Sequence, residues 1–199
     1  MPKFSAEEAI LVIRAADEYL DAPARVIIIG GTAIGLLADS SRTTTDIDIY
    51  SEAGSEVVMS ALVAAKAATG LDVPVQPVTQ CFPPDDFEER LVLYPLQGLR
   101  YLEVLLPEPH DLALMKIARG YQNDLEAIEL LHQEHPLELD ILLERFERTY
   151  IPGSLTSHEL SLLGAIELLF GQEAALNAQS RLEAARRERE RVQALIRGK

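Results

Sequence analysis

Cysteine is nearly absent from this chain: Cys81 is the single one among 199 residues. No internal disulfide framework can form, and a reducing cytoplasm is the expected setting. Long apolar runs are missing too. No stretch approaches the roughly 20 residues that a membrane-spanning helix requires, so no membrane association is expected. Basic charge is scarce, with 18 Lys and Arg against 32 Asp and Glu and a formal net charge of -14. That balance argues against a broad DNA-binding or anionic-membrane surface, though not against a local basic cleft. The shortage is uneven: residues 181–199 hold seven Lys and Arg against three Glu, and the rest of the chain carries the acidic excess. The amino-terminal stretch has no basic-then-apolar leader pattern; Ser5-x-x-Glu8 has the spacing of a helix capping box instead.

What is present is ordinary globular material, 48% hydrophobic and 25% charged, enough for one domain with appendages or two small ones. The spacing predicts a helix over 5–19 and a buried strand over 26–29, where Val26-Ile27-Ile28-Ile29 is apolar on both faces. A helix over 32–38, a strand over 46–50 and a helix over 55–68 follow. Residues 71–78 read as a strand that Pro74 and Pro77 confine to a sheet edge. Short strands near 91–94 and 100–105 flank a hairpin at Gly98. Beyond Pro107 the pattern is helical: a helix from Pro109 to Arg119 broken by Gly120, one capped by Asn123 or Asp124, and one opened by Pro136. Ile151-Pro152-Gly153-Ser154 reads as a linker, Thr156-x-x-Glu159 as a cap, and 172–196 as a long charged helix. The expected class is α+β with an α/β-like head, divided as 1–135 and a helical region over 136–199.

Chemistry concentrates between Arg25 and Tyr50. Gly30-Gly31-Thr32 stands between a strand and a helix, where backbone amides can approach a phosphate at the helix start. It has neither the G-x-G-x-x-G spacing of a dinucleotide fold nor the Gly-Lys-Ser/Thr of a Walker loop. Asp46 and Asp48 follow on the next strand, two residues apart and therefore on one face. Flanked by Ile47 and Ile49, such a pair is costly unless positive charge lies between the carboxylates. Divalent metal serving phosphate chemistry supplies that charge; the bland alternative is a polar turn followed by a solvent-facing aspartate.

The blocks G-G-T-A-I…R-T-T-T-D-I-D-I, F-P-P-D-D-F-E-E-R and L-P-E-P-H-D-L-A-L-M-K-I-A-R…N-D-L-E-A-I-E-L-L resemble the nucleotidyltransferase superfamily of the DNA-polymerase-β type. Closer still, they are similar to a bacterial group related to AbiEii-type toxins of toxin–antitoxin systems. The resemblance implies a small mixed sheet flanked by helices. It implies two Mg²⁺ ions on Asp46 and Asp48, nucleotide phosphates against Gly30, Gly31 and Thr32, and a triphosphate contact from Lys116. Arg119 shares the lysine's helix, and Arg42 either steadies the carboxylates or meets substrate. Asp124 matches a family aspartate or is only a helix cap. Active members carry a third metal-binding carboxylate; Asp72 and Glu103 are the candidates, with Asp72 preferred because it precedes the hairpin. The implied activity moves a nucleoside monophosphate from an NTP to a hydroxyl of RNA, such as tRNA, or of protein. A toxin role implies a cognate antitoxin. If no third carboxylate reaches the pair, the alternative is a silent member of the fold that binds a nucleotide or a protein partner. A third reading leaves the work to the helical tail.

His132-x-x-His135 has ligand spacing, but no third ligand is near and Pro136 follows at once. Cys81 reads as a small buried residue. The Arg186–Arg191 stretch, interleaved with Glu188 and Glu190, reads as a solvated face.

Overall fold

In the computed structural model, which describes residues 3–38, 41, 43–50, 55–78, 81–150 and 157–197, Ser5 starts the first helix as its spacing to Glu8 predicts. The Ser5 hydroxyl accepts from the Glu8 amide at 3.3 Å and the Glu8 carboxylate accepts from the Ser5 amide at 2.8 Å. The helix, α1 (Ala6–Asp17), buries Ala9, Val12, Ile13 and Ala16 along one stripe. Its last residue, Asp17, is buried and accepts the amides of Arg100, Tyr101 and Leu102 at 2.8, 2.8 and 2.7 Å. That clasp ties the end of α1 to the start of a distant strand.

The chain divides into two compact units, Met1–Cys81 with Phe87–Glu108, and Phe82–Asp86 with Pro109–Lys199. In the first, strands β2 (Ala24–Ile29), β4 (Ile47–Tyr50), β5 (Val75–Val78), β6 (Val92–Leu93) and β7 (Leu102–Leu106) form a mixed sheet in the order β5-β4-β2-β7-β6. β2 runs antiparallel to β4 and parallel to β7. Val26 to Ile29 are all buried, as the double-sided apolar run requires. β5 is shorter than its sequence pattern and lies at the edge, where Pro77 deprives no neighbour of a ladder bond. A second, two-stranded sheet, β1 (Phe4–Ser5) with β3 (Thr43–Thr44), has no sequence signal of its own. Helix α2 (Gly30–Leu37) follows β2 directly, and α3 (Ser55–Thr69) packs on α1. The class is therefore mixed α and β with a helical carboxyl-terminal region.

The second unit holds α4 (Pro109–Arg119), α5 (Gln122–Glu134), α6 (Leu139–Thr149), α7 (Ser157–Phe170) and α8 (Gln172–Arg197). Gly120, with φ +71, ends α4. The residue capping α5 is Tyr121, which makes no side-chain cap bond, so Asp124 is not a cap; it lies inside the first turn. α6 starts at Leu139 rather than at Pro136, and the two amides just before it meet imidazoles. His132 Nδ1 accepts from Leu137 at 2.9 Å, and His110 Nε2 from Glu138 at 2.8 Å. His132 is thereby committed to the backbone. The arginines of α8 are not simply solvated: Arg181 binds Glu147 at 2.6 Å and Asp140 at 3.3 Å, and Arg186 binds buried Glu159. The linker over 151–154 and Thr156 lie outside the described residues. Among the described residues, no helix is long and apolar enough to cross a membrane.

Candidate functional site

The site of the first unit is built where β2 gives way to α2. Antiparallel register sets Ile29 opposite Asp48 and Ile28 opposite Ile49. Ile47 and Ile49 are buried in the core, so strand alternation turns Asp46 and Asp48 to the other face. Both aspartates are half-buried.

The glycines belong to the first turn of α2 rather than to a loop before it. Gly30 takes φ +70, a left-handed conformation in which any other residue is strained. A Cβ there would stand 3.1 Å from both Cβ and Cγ of Asp48 and would collide with its Oδ2. At Gly31 a Cβ would lie 2.5 Å from Thr44 Oγ1. The side chains of β3 and β4 thus press against the helix start and leave no space for side chains at its first two positions. The Asp48 carboxylate rests at the positive end of that helix, which offsets part of its charge.

Thr32 is fully buried, and its hydroxyl donates to the Asp46 carbonyl at 2.8 Å. It holds the aspartate strand in place. The Asp46 carboxylate meets Thr45 Oγ1 at 3.3 Å through Oδ1 and receives the Gln76 amide on Oδ2. Gln76 comes from β5, which runs parallel to β4 with Gln76 beside Asp48. Sequence reading missed it, because an amide between two prolines carries no signal until the strands are paired. Cys81 belongs to the same neighbourhood. Burial pushes its thiol pKa up, its own backbone amide draws it back, and the negative charge of Asp48 raises it further.

The two candidate third carboxylates stand elsewhere. Asp72 precedes β5, with a side chain 88% exposed, and pairs with Lys66 at 3.6 Å. Glu103 is exposed on β7 opposite Arg25; Arg25 lies four residues before Ile29 on β2, about 13 Å along the strand. Among the described residues, no three His, Cys, Asp or Glu side chains are grouped to hold a metal ion. Arg42 lies outside the described residues.

Lys116, Arg119 and Asp124 come together in the second unit. Lys116 and Asp124 are buried with Nζ 3.2 Å from Oδ1. Arg119 adds bonds of 3.0 Å to Oδ2 and 2.6 Å to Oδ1, and its guanidinium lies over the Tyr121 ring, 5.2 Å from the centroid. Burial alone would raise the Asp124 pKa, but the Arg119 hydrogen bonds and the Lys116 charge outweigh it and hold the carboxyl below its ordinary value. Lys116 thus forms a buried ion pair within its apolar helix surroundings. A cavity of about 360 Å³ opens beside the pair, lined also by Gly120, Tyr121, Ser161 and Gly164.

The central strand of the five-stranded mixed sheet leads through tandem glycines into a helix, with Asp48 on its antiparallel neighbour and Asp46 directly before that strand, the arrangement expected of a nucleotidyltransferase-type protein. The similarity is borne by most of the chain. Residues 6–162 match the family described as "Nucleotidyltransferase of unknown function (DUF6036)", and the chain belongs to that family. No curated protein and no solved structure matches it.

Proposed function

We propose that this chain transfers a nucleoside monophosphate from an NTP to a hydroxyl, releasing pyrophosphate. The observation that carries the reading is the seating of the Asp48 carboxylate against Gly30, which sets acidic ligands beside backbone suited to phosphate. Asp46 and Asp48 suit a Mg²⁺ ion, because Mg²⁺ binds through one or two carboxylates and completes its shell with water and substrate phosphates. When bound, that ion would neutralise phosphate charge and favour ionisation of the attacking hydroxyl.

The chain's own contributions are positional. The absence of side chains at Gly30 and Gly31 admits Asp48 and Thr44 against the start of α2, where the helix dipole also favours the negative charge of a phosphate. Thr32 fixes the backbone of Asp46, and Gln76 orients its carboxylate. In the second unit Asp124 holds the Lys116 and Arg119 side chains in place; a triphosphate contact by either rests on the sequence resemblance alone. The finer reading is a toxin similar to the AbiEii type, acting on RNA or protein and held in check by a cognate antitoxin. It rests on the sequence blocks alone. A catalytically silent nucleotide-binding protein is the second reading, favoured by the amide of Gln76 beside the aspartates.

The test is incubation with Mg²⁺, each labelled NTP, and total RNA or cell protein, beside an Asp46→Ala/Asp48→Ala variant. Label on a macromolecule that disappears in the variant supports transfer and names the acceptor class. Nucleotide retention without transfer supports the silent reading, and neither result overturns both.

A further inference from the structure

Resting on the nucleotidyl-transfer reading, we infer that the Asp46–Asp48 site takes one divalent ion, delivered with the nucleotide, and that Gln76 sets this number. The strand beside β4 on the outer side of the sheet is β5, and the residue it places next to Asp48 is Gln76. A carboxylate at that position would complete three converging acids. The amide brings no charge, and no other acidic, histidine or cysteine side chain completes such a group among the described residues.

Charge balance then limits occupancy. Two carboxylates give one divalent cation its protein ligands, whereas paired ions about 3.5–4 Å apart repel strongly and need a further protein carboxylate beside the nucleotide phosphates to share them. The Asp46 oxygens accept from the Gln76 amide and from Thr45 Oγ1, which leaves one lone pair on each for a metal ion. A single ion can bind through Asp48 and one Asp46 oxygen with both hydrogen bonds kept and nucleotide phosphates filling its other positions. Without nucleotide, a pair of half-solvated carboxylates is a weak site for a strongly hydrated ion. Metal binding should therefore follow nucleotide binding rather than precede it.

The measurement is Mn²⁺ stoichiometry and electron paramagnetic resonance on the full chain, with an equal mixture of the four α,β-methylene nucleoside triphosphates. The wild type should retain one Mn²⁺ per bound nucleotide with no spin–spin broadening, and should hold Mn²⁺ at least tenfold more weakly without nucleotide. Gln76→Glu should retain two, with the broadening of a coupled pair; circular dichroism checks that it folds. Gln76→Ala, which removes the amide without adding charge, should stay at one. Two coupled ions in the wild type overturn the inference and leave the nucleotidyl-transfer reading intact. One ion in both the wild type and a folded Gln76→Glu overturns the role given to Gln76. No retention of nucleotide or Mn²⁺ by the wild type overturns the functional reading and the inference with it.

Discussion

Replacing Gly30 with alanine tests the closest approach in the site. Two costs add in this variant. Holding a residue with a Cβ at φ +70 costs about 1–2 kcal/mol. The new methyl group also occupies the place of Asp48 Oδ2, and turning that carboxylate off its preferred rotamer costs about 0.5–1.5 kcal/mol more. Gly30→Ala should therefore lose about 1.5–3.5 kcal/mol in urea unfolding. A double-mutant cycle separates the two costs. In Asp48→Ala the collision with the carboxylate is gone, so Gly30→Ala should there cost only the backbone part, giving a coupling of about 0.5–1.5 kcal/mol. Binding of Mg²⁺ with nucleotide, followed by titration calorimetry, should weaken at least tenfold in Gly30→Ala because the carboxylate is displaced. Additive stabilities in the cycle, or unchanged nucleotide affinity, would refute the close approach as described.

Three other outcomes are expected. Asp17→Ala should destabilise the protein by about 2–3 kcal/mol, since three amides, that of Leu102 buried, lose their acceptor. Burial would raise the Asp17 pKa, but those amides and the Arg100 charge lower it below the ordinary value of 3.8. Its stabilisation is thus full above that value and lost as pH falls through the lower folded value, so the wild-type advantage over Asp17→Asn in urea should shrink below about pH 4. Asp124→Ala should cost about 3–5 kcal/mol by leaving Lys116 charged and buried without its carboxylate, and Lys116→Met in the same chain should recover part of the loss; a folded stability equal to wild type would contradict the pairing. Asp48→Asn should lower the Cys81 pKa and speed iodoacetamide alkylation at pH 8, since it removes the charge that raises the thiol, while burial keeps the residue slower than a free thiol. Unchanged or slower alkylation would separate Cys81 from the aspartates.

Sequence by itself determined whatever depends on neighbours along the chain. The capping box at Ser5, the double-sided apolar strand ending at Ile29 and the break at Gly120 follow from local spacing, whereas the strand expected from Asp46 starts one residue later, at Ile47. The recognition of tandem glycines before a D-x-D strand is local too. Tertiary structure decided what depends on register and on contacts across many residues. The parallel pairing of β5 with β4 brings Gln76 to the aspartates and leaves Asp72 outside, although Asp72 is the acidic residue and stands only four positions earlier. The turn at Gly120 made Asp124 the anchor of Lys116 and Arg119 rather than a helix cap, and long-range packing turned Asp17 from a helix end into a clasp for three amides. The physical reason is common to these cases. A side chain's chemistry is set by the groups that folding brings beside it, and strand register and helix packing are properties of the whole fold rather than of any window of sequence.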